Sequence, residues 1–255
     1  MANVKLFGYA TSPYVRKTAC FLYYKGVDFE HIPVNPLDPQ ATIAHTGGTQ
    51  VPVLEIDGEW RRESSAHALW LDEVFSDKPL CPDKHRETIL AIDQWISDHF
   101  LTSYFRPAID SELSLPFRYR GWRLAAIVSA HTPLPEDVRH SWPELLKQAP
   151  FIQHMAKQMD LSESLKDMQI RIFSELLQHL GKGPYLGEMN QPTMLDFAVF
   201  PQLVFGYMFG LEENLLAATH PDVKSWLKRV TGHLPANPTL AANFLQVNPL
   251  AEALM

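Results

Sequence analysis

Every segment of this sequence that reads as a strand lies before residue 63, and from Lys84 onward the pattern is long, helical and nearly strand-free. A chain divided in this way is expected to fold as a small mixed sheet carrying helices, followed by an all-helical region. "VKLFGY" reads as the first strand. A helix follows Ser12, with Val15, Ala19, Leu22 and Tyr23 recurring on one face until Gly26 stops it. "FEHIPV" is the second strand. After a polar stretch rich in Pro and Gly comes "VPVLEI", then Asp57-Gly58 as a hairpin signal, then "EWRR". Glu63, Ser64 and Ser65 open another helix, in which Ala66, Leu69, Trp70 and Val74 share a face. This order places one crossover helix near the front and an antiparallel pair near the end.

"SDKPLCPDK" is a linker, because Pro79 and Pro82 block helix continuation. The division is therefore residues 1–78 for the mixed domain and 84–255 for the helical one. Between 110 and 159 the helical pattern is interrupted by Pro116, Pro133, Pro135, Pro143 and Pro150, which suggests an inserted hairpin or lid. Its aromatics, Phe117, Tyr119, Trp122 and Trp142, are expected to be mostly core. Further on, "PTMLDF" sets Thr193 as a helix cap with Asp196 three residues later. The most apolar stretch, Phe197 to Leu211, is broken by Pro201 and Gln202 and falls short of the roughly 20 residues of a membrane span. It is expected to be a buried helix.

Several function classes are unlikely on composition. The formal net charge of −7 does not suit a general nucleic-acid surface. Two cysteines, Cys20 and Cys81, supply neither a disulfide framework nor a CxxC pair, and the eleven histidines show no HExxH spacing, so no metal is expected. "LGKGPYLG" lacks the GK[ST] ending of a phosphate loop and no GxGxxG occurs, so no nucleotide cofactor is expected. Nothing resembling a secretory leader opens the sequence, and a cytoplasmic location is the expectation.

The chemistry centres on "TSPYVRK". Ser12 before Pro13 is a ready helix start, since the Ser oxygen accepts an orphan N–H and Pro suits the first helical position. The same place offers free N–H groups at the positive end of a helix dipole, so Ser12 has a capping reading, a catalytic one, or both. Disulfide exchange at this turn is excluded, because a serine cannot form the mixed disulfide.

"SPYVRK" on the first helix, "QVPVLEIDG" before a hairpin and "ES" opening the next helix, all ahead of an all-helical domain, resemble the cytosolic glutathione transferases. The resemblance implies a thioredoxin-like first domain that binds glutathione as co-substrate, a pocket for a small electrophile against the second domain, and a homodimer. It implies that Pro52 is the cis-proline, that Val51 pairs with the cysteinyl part of glutathione through its backbone, and that Glu63 and Ser64 hold the γ-glutamyl end. It makes this a serine-type member in which the Ser12 hydroxyl donates to the glutathione thiolate, with Thr11 and then Tyr9 as alternatives. Gln50 stands before Val51 where many relatives carry a Lys shortly before the proline, so an uncharged amide, with His45 as a possible helper, meets the glycine carboxylate. Tyr104, Phe105 and Trp122 are the expected wall of the electrophile pocket. Arg16 is expected to cover surface, and Arg61 and Arg62 have no assigned role. A glutathione-dependent isomerase and a non-catalytic binding protein of the same fold are the alternatives.

Overall fold

In the computed structural model, residues 2–110, 114–157, 159–212 and 220–254 are described, and they build a four-stranded sheet with helices on it, followed by a helical region. Strand β1 (Val4–Gly8) pairs in parallel with β2 (Glu30–Pro33) and antiparallel with β3 (Val53–Ile56), which pairs antiparallel with β4 (Glu59–Arg61). Phe7 stands opposite Ile32 on one side and Val53 on the other, so alternate residues of three strands share one apolar face. The β3–β4 turn is Asp57-Gly58 with both φ angles positive, 52° and 90°, as a two-residue hairpin requires.

Helix α1 (Pro13–Lys25) carries the chain from β1 to β2 and stops at Gly26, whose φ of 69° lets its N–H reach back to Leu22 and Tyr23. The stretch after β2, read as polar loop, holds a short helix α2 (Gln40–Ile43) and a 3-10 turn at Ala44–Thr46. Ile43 anchors it in a small core with Phe7, Val34 and Val53. Helix α3 (Ser64–Val74) buries a different face from the expected one: Ser64, His67, Ala68, Trp70 and Leu71 face inward, and Val74 is 45% exposed. The cause is His67, a polar side chain that lies inside because Thr18 Oγ1 (3.1 Å) and the Arg61 carbonyl (2.9 Å) satisfy both ring nitrogens.

Helix α4 (Arg86–Trp95) runs through a π-helical stretch, Ile96–Phe100, into α5 (Leu101–Ser103) and α6 (Arg106–Ile109). There follow α7 (Leu115–Ser129), α8 (Glu136–His140), α9 (Trp142–Gln148) and α10 (Pro150–Ala156), then the long α11 (Leu165–Leu180). Next come the central α12 (Met194–Met208), α13 (Pro221–Thr231) and α14 (Leu250–Leu254). The α7–α10 segment has a small core of its own, built from Ala125, Val128, Leu134 and Trp142. Of the four aromatics expected in the core only Trp142 is buried; Tyr119 and Trp122 are 52% and 39% exposed and Phe117 is half-buried. Trp122 instead uses its indole N–H on the His140 carbonyl (2.9 Å), tying α7 to α8 at the surface. Residues 111–113 and 158 of the expected insertion lie outside the described residues.

The change of texture near residue 84 is not a gap in the core. Phe21 and Tyr24 of α1 pack on Phe197 of α12, with ring centroids 6.5 and 4.7 Å apart, and one apolar cluster runs from Val4 to Leu254. Helix α12 starts with the expected capping box at Thr193 and Asp196. Asp196 is fully buried yet accepts from Thr193 N, Leu186 N and Trp226 Nε1 (2.8, 3.0 and 2.7 Å), which offsets a burial that pushes its carboxyl up to about 6.

Candidate active site

Strand β1 ends hard against the first turn of α1: a Cβ at Gly8 would collide with Val15. The chain then turns through Tyr9, Ala10 and Thr11, and the Ser12 N–H closes the turn onto the Tyr9 carbonyl at 2.9 Å. Ser12 Oγ accepts a long bond from Val15 N, 3.4 Å, so the cap is made through an oxygen lone pair. Its O–H proton is not used by that bond and stays available as a donor. Capping and donating are therefore compatible in one hydroxyl. Thr11 and Tyr9, the other two candidates, flank it and are half-buried. Burial raises the Tyr9 pKa, and burial together with Asp98, Glu63 and Asp93 pushes Tyr14 up to about 12, so both phenols stay protonated near neutrality.

The Val51-Pro52 peptide bond is cis and leads into β3; Val51 is half-buried and Gln50 exposed. Beyond the hairpin, Glu63 sits at φ 71°, ψ 106°, a conformation strained for any residue but glycine. Its side chain is exposed and makes no capping bond, which removes the plain-capping reading of this residue. The first backbone bond of α3 is His67 N to Glu63 O (3.1 Å), so the preceding N–H groups at Ser64, Ser65 and Ala66, at the positive end of the helix, have no acceptor among the described residues. This terminus is held from behind. Lys17 Nζ, fully buried, bonds Asp93 Oδ1 (2.6 Å) and Ser65 Oγ (3.0 Å), and Ser65 donates to Asp93 Oδ2 (2.5 Å), joining α1, α3 and α4.

Two arginines without a role in the sequence have positions here. Arg61 lies over the Trp70 ring (4.6 Å) and 3.6 Å from Glu73 at the surface. Arg62 turns the other way, over Trp60 (5.7 Å), with its guanidinium against Gly48, where a Cβ would collide with it. A positive charge thus stands beside the loop that leads to Gln50. His45 is exposed, with its ring tilted against Phe7 and Trp60 at 5.7 and 6.1 Å.

Arg16 does not cover surface. It is buried, and it donates Nη1 to the Ala10 carbonyl (2.8 Å) and Nη2 and Nε to Gln202 Oε1 (2.6 and 3.2 Å), with its Cζ 3.8 Å from the centre of the Phe205 ring. Gln202 completes the clamp by donating to the Pro13 and Ala198 carbonyls (2.9 and 3.2 Å). Burial lowers the Arg16 pKa to about 9, which still leaves it charged at neutral pH. A cation satisfied by neutral acceptors keeps its field, and this one is bonded two residues before Ser12. The sequence signal for Gln202 was its place in an otherwise apolar helix, where a polar side chain needs a partner.

Of the three expected pocket residues, Tyr104 is 39% exposed and lies within electrostatic reach of Arg16. Phe105 packs edge-on to Phe151 (5.5 Å), and Trp122 is engaged with His140. No group of three or more His, Cys, Asp or Glu side chains placed to hold a metal ion occurs among the described residues.

Residues 6–79 match the family described as "Glutathione S-transferase, N-terminal domain". The whole chain is similar in fold to a glutathione transferase Omega 3C from Trametes versicolor, at 14% identity and TM-score 0.61, covering 94% of this chain and 84% of that one. It is similar also to the beta-etherase LigF from Sphingobium sp. strain SYK-6, at 18% identity and TM-score 0.57, with 90% and 95% covered. A maleylacetoacetate isomerase from Anaeromyxobacter dehalogenans 2CP-1 matches at 18% identity and TM-score 0.53, with 98% and 94% covered.

Proposed function

We propose that this chain, whose residues 6–79 match the glutathione S-transferase N-terminal domain and whose fold is shared with glutathione transferases, belongs to that family, binds glutathione between the cis-proline loop and the N-terminus of α3, and transfers the sulfur to a small electrophile. The observation that carries this reading is the strained, outward-facing Glu63 ahead of the first N–H groups of α3. A carboxylate suits the ammonium of the γ-glutamyl end, and the helix terminus with the Ser64 hydroxyl suits its carboxylate. Val51 offers its backbone to the cysteinyl part, and Arg62 with Gln50 and His45 meets the glycine carboxylate. The Ser12 hydroxyl donates to the thiolate, and the helix terminus and Arg16 lower the cost of the charge. The thiol proton leaves to solvent on binding, and the thiolate attacks an electrophilic carbon held on the Tyr104 side.

An etherase and an isomerase share this fold, so the fold does not choose the acceptor. An isomerase would use the same thiolate and release it unchanged. The protein is expected to act as a homodimer in the cytoplasm; no helix among the described residues is long and apolar enough to cross a membrane. Titration calorimetry with glutathione, followed by turnover of chlorodinitrobenzene, tests the proposal. Binding in the millimolar range or tighter, with turnover, supports it. Binding without turnover of this or any enone fits the binding-protein alternative, and no binding by folded protein removes the reading.

A further inference from the structure

The turn that carries Ser12 is held by its carbonyls. Tyr9 O takes the Ser12 N–H and Ala10 O takes Arg16, at 2.9 and 2.8 Å. The carbonyl before them, on Gly8 at the end of β1, takes two donors from the β2 side: Val34 N at 3.2 Å and His31 Nε2 at 3.0 Å. A carbonyl can only accept, so the imidazole proton sits on Nε2 and the bond depends on it. Burial lowers the His31 pKa, which keeps the ring neutral at neutral pH. Strand β2 is an outer strand, paired on one side only.

What stands against the His31 ring is His131, the second residue after α7, edge-on with ring centroids 5.8 Å apart and planes at 74°. His131 itself is exposed, yet the helix that leads to it is anchored. Ile127 is fully buried in the main apolar cluster, and Arg123 donates twice to the Phe209 carbonyl (2.9 and 3.1 Å) and once to that of Leu245 (3.0 Å). The α7–α10 segment, expected from the sequence as an insertion, therefore reaches the strand end that leads into Ser12.

We propose that His31 is a positioning residue for the Ser12 hydroxyl, and that the α7–α10 segment takes part in the site by seating His31 through His131. This rests on the transferase reading above, in which Ser12 donates to the bound sulfur. The bond to Gly8 fixes where β1 ends, and the bonds at Tyr9 and Ala10 carry that position on to Ser12. A displaced hydroxyl loses part of its bond to the thiolate, which then costs more to form.

The test is the pKa of bound glutathione, read by thiolate absorbance, in His31→Leu, His31→Gln, His131→Ala and the double variant His31→Leu/His131→Ala. Calorimetric affinity and thermal unfolding are measured beside it. Leu removes the donor, and Gln keeps a neutral N–H. His31→Leu is expected to raise the thiol pKa by about half to one unit, and so to lower kcat/KM for chlorodinitrobenzene near pH 6.5 about three- to tenfold, with glutathione affinity kept within about twofold. His31→Gln is expected to restore most of both. His131→Ala is expected to shift the thiol pKa the same way by less, and to add nothing in the double variant, because the two residues act through one bond.

A His31→Leu protein that loses thermal stability while the thiol pKa stays in place makes His31 a residue of the fold and overturns the proposal, as does a His31→Gln protein as impaired as His31→Leu. Additive effects in the double variant overturn the part given to the α7–α10 segment. Should His31→Leu not fold, His131→Ala decides, and an unmoved thiol pKa there overturns the proposal. A wild type whose bound thiol titrates like free glutathione removes the Ser12 reading and this proposal with it; a lowered wild-type value that none of the variants moves removes this proposal only.

Discussion

The Arg16 guanidinium and the Gln202 amide oxygen meet through two N–H groups, at 2.6 and 3.2 Å, across the junction between α1 and α12. One side chain of this pair is bonded to the loop that carries Ser12, and the other belongs to the most apolar helix of the chain. The pair makes the geometry of the turn that carries Ser12 depend on α12.

Gln202→Leu removes the main acceptor of a buried cation and is expected to destabilise the fold by about 2–3 kcal/mol, the scale for a hydrogen bond to a charged group plus the group left unsatisfied. Urea unfolding followed by tryptophan fluorescence measures it. A loss below about 0.5 kcal/mol is the behaviour of a surface arginine and contradicts the clamp.

His67 sets a limit on acid stability. Burial is the main cause that brings its pKa down to about 4, with Lys17 and Arg61 adding to it against the bond to the Arg61 carbonyl. An imidazole buried neutral contributes stability that is present above its unfolded value of about 6.5 and is lost as pH falls toward 4. Lowering pH from 7.5 to 5 is expected to cost about 2 kcal/mol from this group alone. His31, His179 and His233 are lowered too and act in the same direction. Urea midpoints across that window should show a shallower pH slope in His67→Gln; an unchanged slope means that His67 titrates normally in the folded protein.

The parts of this account that were legible in the sequence are those with local causes. Asp57-Gly58 made a hairpin because both residues tolerate positive φ, and Thr193 with Asp196 made a capping box because they stand three positions apart. The order of elements along the chain and the helical second half followed from period, whereas the sheet order β2-β1-β3-β4 was not read from it. What was hidden depends on partners distant in sequence. Arg16 looks like an exposed helix residue until Gln202, 186 positions on, is placed against it. The inward face of α3 shifted because His67 found Thr18 and Arg61, and Arg62 gained its position from Gly48 across the sheet edge.

Arg62 is expected to supply the charge that Gln50 lacks. Arg62→Ala should weaken glutathione binding by about 1.5–3 kcal/mol, the range for a charged hydrogen bond. The same change should matter little for the glycyl ethyl ester of glutathione, which has no carboxylate there. Equal losses for the two ligands by calorimetry would assign Arg62 to the fold of the loop and not to the ligand.

The central claim is that one hydroxyl both starts α1 and holds the sulfur as thiolate, and the ionisation of bound glutathione tests it most directly. Ultraviolet absorbance of the thiolate, titrated from pH 5 to 9 on saturated protein, gives the pKa of the bound thiol. A free thiol titrates at about 8.5, and the wild-type complex is expected at about 7 or below. Ser12→Ala should raise that value by about one to two units, the equivalent of a charge-assisted hydrogen bond of about 1.5–3 kcal/mol, with glutathione affinity nearly intact. Thr11→Ala and Tyr9→Phe should leave it in place. If Ser12→Ala costs about 1 kcal/mol of folding stability and the thiol pKa does not move, Ser12 is a helix cap only and the claim fails.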